Sequence, residues 1–307
     1  MVLPDHSRFM KVAVCICTRK RQEDLTKLLN SLSGLIVPPE INLRIIVVEN
    51  DTVSFCEGLI KEISSGNKLR IEYFLEPRQG IVYARNRSVA EAGECDFCCF
   101  TDDDQVVSPG WLTELLRCQR EFDSDGVAGP TIPVFTGKVP AWIQKFHQPE
   151  VFPYGTIVTK AFTGCLLLRK NYLDMIEGPF DIRFNFSGGE DAYLTEKISG
   201  LGAVIRYNPD AVAYENIPKD RQTINFVIKR VFRRSNSRMI INSIENKGKK
   251  PIRELPRLVL RFFYGLIIAI PCYIFSKENK LKGLIRITNA VGGFSFFFGK
   301  LSRFYKD

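Results

Sequence analysis

Four short runs rich in β-branched and aromatic residues punctuate the first hundred positions: "KVAVCIC" (Lys11 to Cys17), "LRIIVVE" (Leu43 to Glu49), "RIEYFL" (Arg70 to Leu75) and "FCCFT" (Phe97 to Thr101). Each is too short for a typical helix and too apolar for a one-sided sheet. Between them lie stretches with helical spacing. "QEDLTKLLNSL" carries Leu25, Leu28, Leu29 and Leu32, "FCEGLIKEI" follows the second run, and "GIVYARNRSVAEAG" ends at Gly93. A strand–helix alternation of this kind predicts a parallel sheet covered by helices on both faces. Ligands of such sheets bind at the carboxyl ends of the strands. That rule selects Thr18, Arg19, Glu49, Asp51 and the triplet Asp102, Asp103, Asp104.

The triplet is the costliest feature, because Asp is disfavoured in strands and like charges repel. Read as a strand continuation, Asp102 and Asp104 share one side. Two carboxylates there suit a hard cation such as Mg²⁺ or Mn²⁺; an Asp-rich surface turn before "SPG" is the plain alternative. In "FSGGEDAYL" (Phe186 to Leu194) two glycines precede Glu190 and Asp191. They allow close approach of backbone to a ligand, with a carboxylate base across a cleft from the metal. Acids favoured at a helix N-terminus explain the same residues without chemistry. "EPRQGIVYARNRS" places Gln79 and Gly80 at a helix start and Arg85 on it, which favours phosphate or a base; solvent-facing arginines are the plain reading.

Beyond Pro109 the pattern is mixed. "GWLTELLRCQREF" and "GGEDAYLTEKISGLG" read as helices, "GVAGPTIPVF" as extended chain, and "AFTGCLLLRK" as a strand containing Gly164. Trp142 could stack on a sugar or fill a core. "NFVIKRVFRRSNSRMIINSI" reads as a long basic helix and "ENKGKKP" as a linker. Residues 218–307 hold 20 Lys and Arg against 5 Asp and Glu, whereas residues 1–217 hold 23 against 29. A basic rear of this size suits nucleic acid, anionic lipid or phosphorylated substrates. The closing apolar stretches, Phe262 to Phe275 and Ile287 to Gly299, fall short of the ~20 residues a span needs. Their basic flanks favour the membrane interface over a span or a buried core.

The first eleven residues carry no long apolar run, so no secretory signal is expected, and the nine cysteines read as reduced thiols. Cys95, Cys98 and Cys99, with only His6 and His147 to help, lack the paired spacing of a zinc site.

Taken in order, "CICTRKR", "VVEND", "PRQGIVYARNRS", "FTDDDQ", "TGCLLLRK", "GGED" and "YENIPKDR" resemble glycosyltransferase family 2, over about Val12 to Arg238. The tail is similar to that of membrane-associated bacterial members. The resemblance implies an α/β GT-A fold: a Rossmann-like nucleotide-sugar half at residues 10–106, an acceptor half with a mixed sheet at 107–217, and a helical basic tail at 218–307. It implies inverting transfer from a nucleotide-sugar donor, UDP-linked for preference, to a glycan or lipid-linked acceptor in surface polysaccharide synthesis. The place implied is the cytoplasmic face of the bacterial inner membrane, on anionic lipid, with no nucleic acid partner. On this resemblance Asp191 is the catalytic base, and Asp102 and Asp104 are the ligands of Mg²⁺ or Mn²⁺. Thr18, Arg19, Glu49, Asp51, Gln79, Gly80, Arg85, Asp102 and Asp103 hold the donor. Gly164, Glu190, Arg221 and Trp142 lie toward the acceptor or the diphosphate. Glu49 stands where Asp is usual, Gln105 where an acid is frequent, and Glu215 where some relatives carry His. Another metal-dependent nucleotide enzyme, or a degenerate membrane-binding relative, is the alternative.

Overall fold

The computed structural model describes residues 9–66, 69–275 and 277–299. His6 and the final residues of the expected tail, 300–307, lie outside them. The described chain divides into two compact units. The first comprises residues up to Val134 together with Pro149–Ile182 and Asp191–Asn216; the second comprises Phe135–Gln148, Arg183–Glu190 and the residues from Ile217 onward.

In the first unit the expected alternation is present: β1 (Met10–Thr18), α1 (Gln22–Ser33), β2 (Ile41–Glu49), α2 (Glu57–Ser65), β3 (Arg70–Leu75), α3 (Ile81–Glu91) and β4 (Phe97–Phe100). There follow β5 (Gln105–Val107), α4 (Trp111–Phe122), β6 (Gly126–Ala128) and β7 (Thr131–Phe135). After α5 (Ala141–His147), which belongs to the second unit, come β8 (Leu166–Arg169), α6 (Lys170–Asp174), α7 (Glu190–Gly200), β9 (Ile205–Tyr207) and β10 (Ala213–Ile217). A seven-stranded sheet runs β3-β2-β1-β4-β8-β6-β9, and a small sheet runs β5-β10-β7. The strands from β3 to β4 are parallel, whereas β8 is antiparallel to both β4 and β6, so parallel and mixed halves meet at β4.

Alternation along β1 feeds two cores. Val12, Val14 and Ile16 pack with the leucines of α1 and with Trp111, Leu112 and Leu115 of α4. Ala13 and Cys15 pack on the other face with Val82 and Ala84 of α3 and Leu194 and Ile198 of α7. Cys98 and Cys99 divide between these two cores.

Two expectations need correction. Strand β4 stops at Phe100, and residues 102–105 form a turn closed by Gln105 N–H on the Asp102 carbonyl at 3.2 Å. Strand alternation therefore does not place Asp102 and Asp104; turn chemistry, which Asp favours, does. Gly164 lies in the turn before β8 rather than within the strand.

The second unit holds the basic tail as α8 (Ile224–Glu245), α9 (Leu255–Phe275) and α10 (Lys277–Phe297). Thr223 caps α8 by accepting from Phe226 N–H at 3.2 Å. Glycines let these helices approach closely. A Cβ on Gly265 would stand 2.8 Å from Ile287 Cγ1, one on Gly283 2.8 Å from Ala269 Cβ, one on Gly293 2.6 Å from Leu258 Cδ2, and one on Gly292 would collide with the Phe232 carbonyl. Leu260, Phe263, Tyr264 and Ile267, spaced three, four and seven apart on α9, are 50–70% exposed. Among the described residues no helix is long and apolar enough to cross a membrane.

Candidate active site

The carboxyl ends of β1, β2 and β4 lie side by side, with Thr18 opposite Glu49 in the β1–β2 register. Asp103, 5% exposed, is the anchor of the Asp turn. Its carboxylate accepts from Thr18 Oγ1 at 2.8 Å and from Arg21 at 2.9 Å. Burial pushes its pKa up to about 6, against the lowering pull of Arg21. Asp104 accepts from Arg21 at 3.2 Å, and Asp102 accepts from the buried Arg85 of α3 at 3.2 Å. Gln105 fastens the turn from below: its Oε1 accepts from Thr101 Oγ1 at 2.7 Å and from Asp102 N–H at 3.2 Å. The Asp104 carbonyl accepts from Asn216 N–H at 3.2 Å, and Glu215 faces Gln105 in the β5–β10 register.

Glu49 is fully buried and its Oε2 accepts from Phe55 N–H, Cys56 N–H and the Tyr73 hydroxyl at 2.7–3.0 Å. It shapes the loop that enters α2. Asn50 clamps the loop before α3, donating to the carbonyls of Glu76 and Arg78 and accepting from Gly80 N–H at 2.8 Å. Gly80, at φ +126°, opens α3 in a conformation that favours glycine, and Gln79 beside it is exposed. Asp51 faces Lys20 at 3.5 Å and Arg19 at 3.8 Å. Burial raises its pKa, but the Thr52 backbone N–H and Lys20 outweigh that and hold it below the ordinary value.

Gly164 touches the Asp turn. A Cβ there would stand 2.6 Å from Gln105 Nε2, 2.9 Å from Thr131 Oγ1 and 3.6 Å from Asp102 Oδ2. The same segment is tied to α7, where Thr195 Oγ1 accepts from Ala161 N–H at 3.1 Å. Asp191 is one helical turn ahead of Thr195, so α7 and the Asp turn border a common segment, Ala161–Cys165. Glu190, Arg221 and Trp142 belong to the second unit. There Gly188 and Gly189 take positive φ, and a Cβ on Gly189 would meet Ser237 Cβ at 3.2 Å. The glycine pair thus serves a turn and a close approach to α8.

Sequence reasoning missed the roles of Arg21, Asn50 and Gln105. All three lie inside the quoted motifs, but the bonds of Arg21 and Asn50 join distant loops and those of Gln105 close a local turn, and neither kind leaves a periodic trace.

The donor set fits a divalent cation. Asp102 and Asp104 offer hard oxygens, the Asp102 side chain is 43% exposed, and glycine at 164 leaves room beside it. Among the described residues no three His, Cys, Asp or Glu side chains gather, so two carboxylates with water and phosphate would complete the shell, as Mg²⁺ accepts.

A parallel Rossmann-like half joined at β4 to a mixed half, with an acidic turn at the junction, is the GT-A arrangement. Residues 13–184, more than half the chain, match the sequence model of Glycosyl transferase family 2, and the protein belongs to that family. It is 31% identical over 227 residues to the succinoglycan biosynthesis protein ExoM of Rhizobium meliloti, covering 73% of this chain and 72% of the relative. Two solved structures share the fold. The mannosyltransferase PcManGT of Pyrobaculum calidifontis, solved with GDP-Man and Mn²⁺, superposes with a TM-score of 0.64 at 14% identity over 97% of this chain and 90% of its own. S. aureus TarS 1–349 with UDP gives 0.53 at 18% identity over 97% and 94%.

Proposed function

We propose that the protein moves a sugar from a nucleotide-sugar donor to a glycan or lipid-linked acceptor, inverting the anomeric configuration, in the synthesis of a bacterial surface polysaccharide. The observation that carries this reading is the Asp turn, held by Thr18, Arg21, Arg85 and Gln105 at the end of β4. Asp102 and Asp104 would hold Mg²⁺ or Mn²⁺, which supplies charge neutralisation to the leaving diphosphate when bound. Asp51 and the loop after β2 lie toward the nucleoside, while Asp103 and Glu49 keep the two loops in place. Asp191 takes the proton of the attacking acceptor hydroxyl. Support comes from the family, from the relative named for succinoglycan biosynthesis, and from neighbours solved with GDP-Man or UDP. A thermal-shift panel of UDP-, GDP-, dTDP- and CMP-sugars with and without Mn²⁺ tests it. One nucleotide class should stabilise the wild type in a metal-dependent way by mass action, and not Asp104→Asn. A folded sample unmoved by every donor sinks the reading.

The same reading puts the enzyme on the cytoplasmic face of the inner membrane, without a span. The exposed α9 stripe, bordered by Arg257 and by Arg286 stacked 4.6 Å from the Tyr264 ring centroid, suits an anionic bilayer surface. Sedimentation with phosphatidylglycerol-containing vesicles, but not with pure phosphatidylcholine, is expected; self-association in place of vesicle binding would assign the stripe to a second copy.

A further inference from the structure

At the amino ends of β1 and β4, the opposite end of the sheet from the Asp turn, lies a cavity of about 470 Å³. Lys11, Cys95, Asp96 and Lys170 contribute to its wall. The sequence there is Cys95-Asp96-Phe97-Cys98. Cys95 is half-buried at the wall, Cys98 is fully buried behind it, and their sulfurs are in contact at 3.8 Å. Asp96 fixes the local backbone, accepting from Lys11 N–H at 2.7 Å on its carboxylate and from Lys170 N–H at 2.9 Å on its carbonyl. Lys170, itself only 8% exposed, is paired with Asp174 and holds its charge near Cys95.

Five thiols outside this pair differ. Burial raises Cys17, Cys56, Cys99, Cys118 and Cys165 above the ordinary thiol value. Cys95 is held below it, first by the hydrogen bond with Cys98, then by Lys170 and Arg44, against burial and Asp96. Thiolate fraction and access together govern thiol reactivity. A sulfur favoured in both respects, with a second thiol in contact, is the arrangement that thiol–disulfide exchange requires.

We propose that Cys95 is a nucleophilic thiol opening on this cavity, and that Cys95 and Cys98 form a pair which a small disulfide, RSSR, oxidises to an intramolecular disulfide. Cys95 thiolate attacks one sulfur of RSSR and expels RS⁻, leaving a mixed disulfide. Cys98 then loses its proton and attacks the Cys95 sulfur, expelling the second RS⁻. The two protein thiols give up two electrons and two protons, and RSSR becomes two RSH. None of the residues placed in the donor site takes part.

The test uses the full chain with oxidised glutathione as RSSR, followed by peptide mass mapping. Sub-stoichiometric N-ethylmaleimide should first label Cys95 at least about tenfold faster than Cys17, the other half-buried thiol of the sheet. Oxidised glutathione should then give loss of two hydrogens, located by fragmentation between Cys95 and Cys98. Cys98→Ser should stop at the glutathione adduct on Cys95, and Cys95→Ser should give neither product. Equal labelling of the thiols, a stable adduct on the wild type, or no reaction at Cys95 would each overturn the proposal. The labelling arm needs no variant, so a poorly folding Cys98→Ser leaves the proposal open to refutation.

Discussion

The acidic turn after β4 and the helical hairpin α9–α10 are both built on close approach, but they resolve it with opposite chemistry. Around the turn, charges are brought together and each is met by a named partner: Thr18 and Arg21 on Asp103, Arg21 on Asp104, Arg85 on Asp102. In the hairpin, side chains are removed where the helices touch, and large apolar groups are displayed on the outer side of α9. The first region can be altered by a single charge with little change of volume. The packing of the second is sensitive to volume. Function of the first is expected to fail before its fold does, and the reverse holds for the second.

The largest effect expected from this contrast is on the turn. Asp104→Asn should lower turnover on the order of a hundredfold or more while leaving the melting temperature close to wild type; comparable loss of stability and activity would mean that the carboxylate is structural. Gly164→Val attacks the same region through volume. Its Cβ already falls 2.6 Å from Gln105 Nε2, so roughly 1–3 kcal/mol of destabilisation should accompany a loss of donor binding. Gly283→Val in the hairpin, where the added Cβ would fall 2.8 Å from Ala269 Cβ, should cost a similar amount, read as a lower melting temperature, yet leave metal-dependent donor binding in the folded fraction unchanged. Loss of donor binding there would break the separation of the two regions.

Replacing Leu260 and Phe263 together by Ser should abolish vesicle binding, since each apolar side chain contributes about 1.5–3 kcal/mol when taken out of water. Stability in solution should hardly move, because both groups are already exposed. The smallest effect concerns pH. His147 stacks on Phe226, and burial with Arg230 nearby holds its pKa below the ordinary value. The unfolded chain therefore takes up the proton first. The stability this histidine contributes is present above about pH 6.5 and is lost as pH falls through its lower folded value. Melting curves at pH 7.5 and 5.5 should show a decrease that His147→Phe reduces.

Short apolar runs and helical spacing located β1 to β4 and α1 to α3, because strands buried on both faces read as continuous apolar runs and helices as a 3.6-residue period. The three aspartates were legible as a place of unusual cost, but not in their geometry. A strand register was the natural reading, and only the bonds of Gln105 to Thr101 and Asp102 reveal a turn. Glu49 shows the other limit. Its position at a strand end pointed to ligand; its Oε2 is claimed by Phe55, Cys56 and Tyr73, while its buried Oε1 has no hydrogen-bond partner among the described residues. A motif gives the address of a side chain; which neighbours claim its oxygens depends on loops that no local pattern encodes.

The glycine seam between α9 and α10 has a bearing on where this protein can work. Ordinary core packing draws its strength from excluding water, and it weakens when the surroundings become oily. A seam made by backbone meeting backbone holds through dispersion contacts instead, which survive the exchange of water for acyl chains. The hairpin can therefore keep its form while one flank changes solvent, so the membrane attachment proposed above would not require refolding.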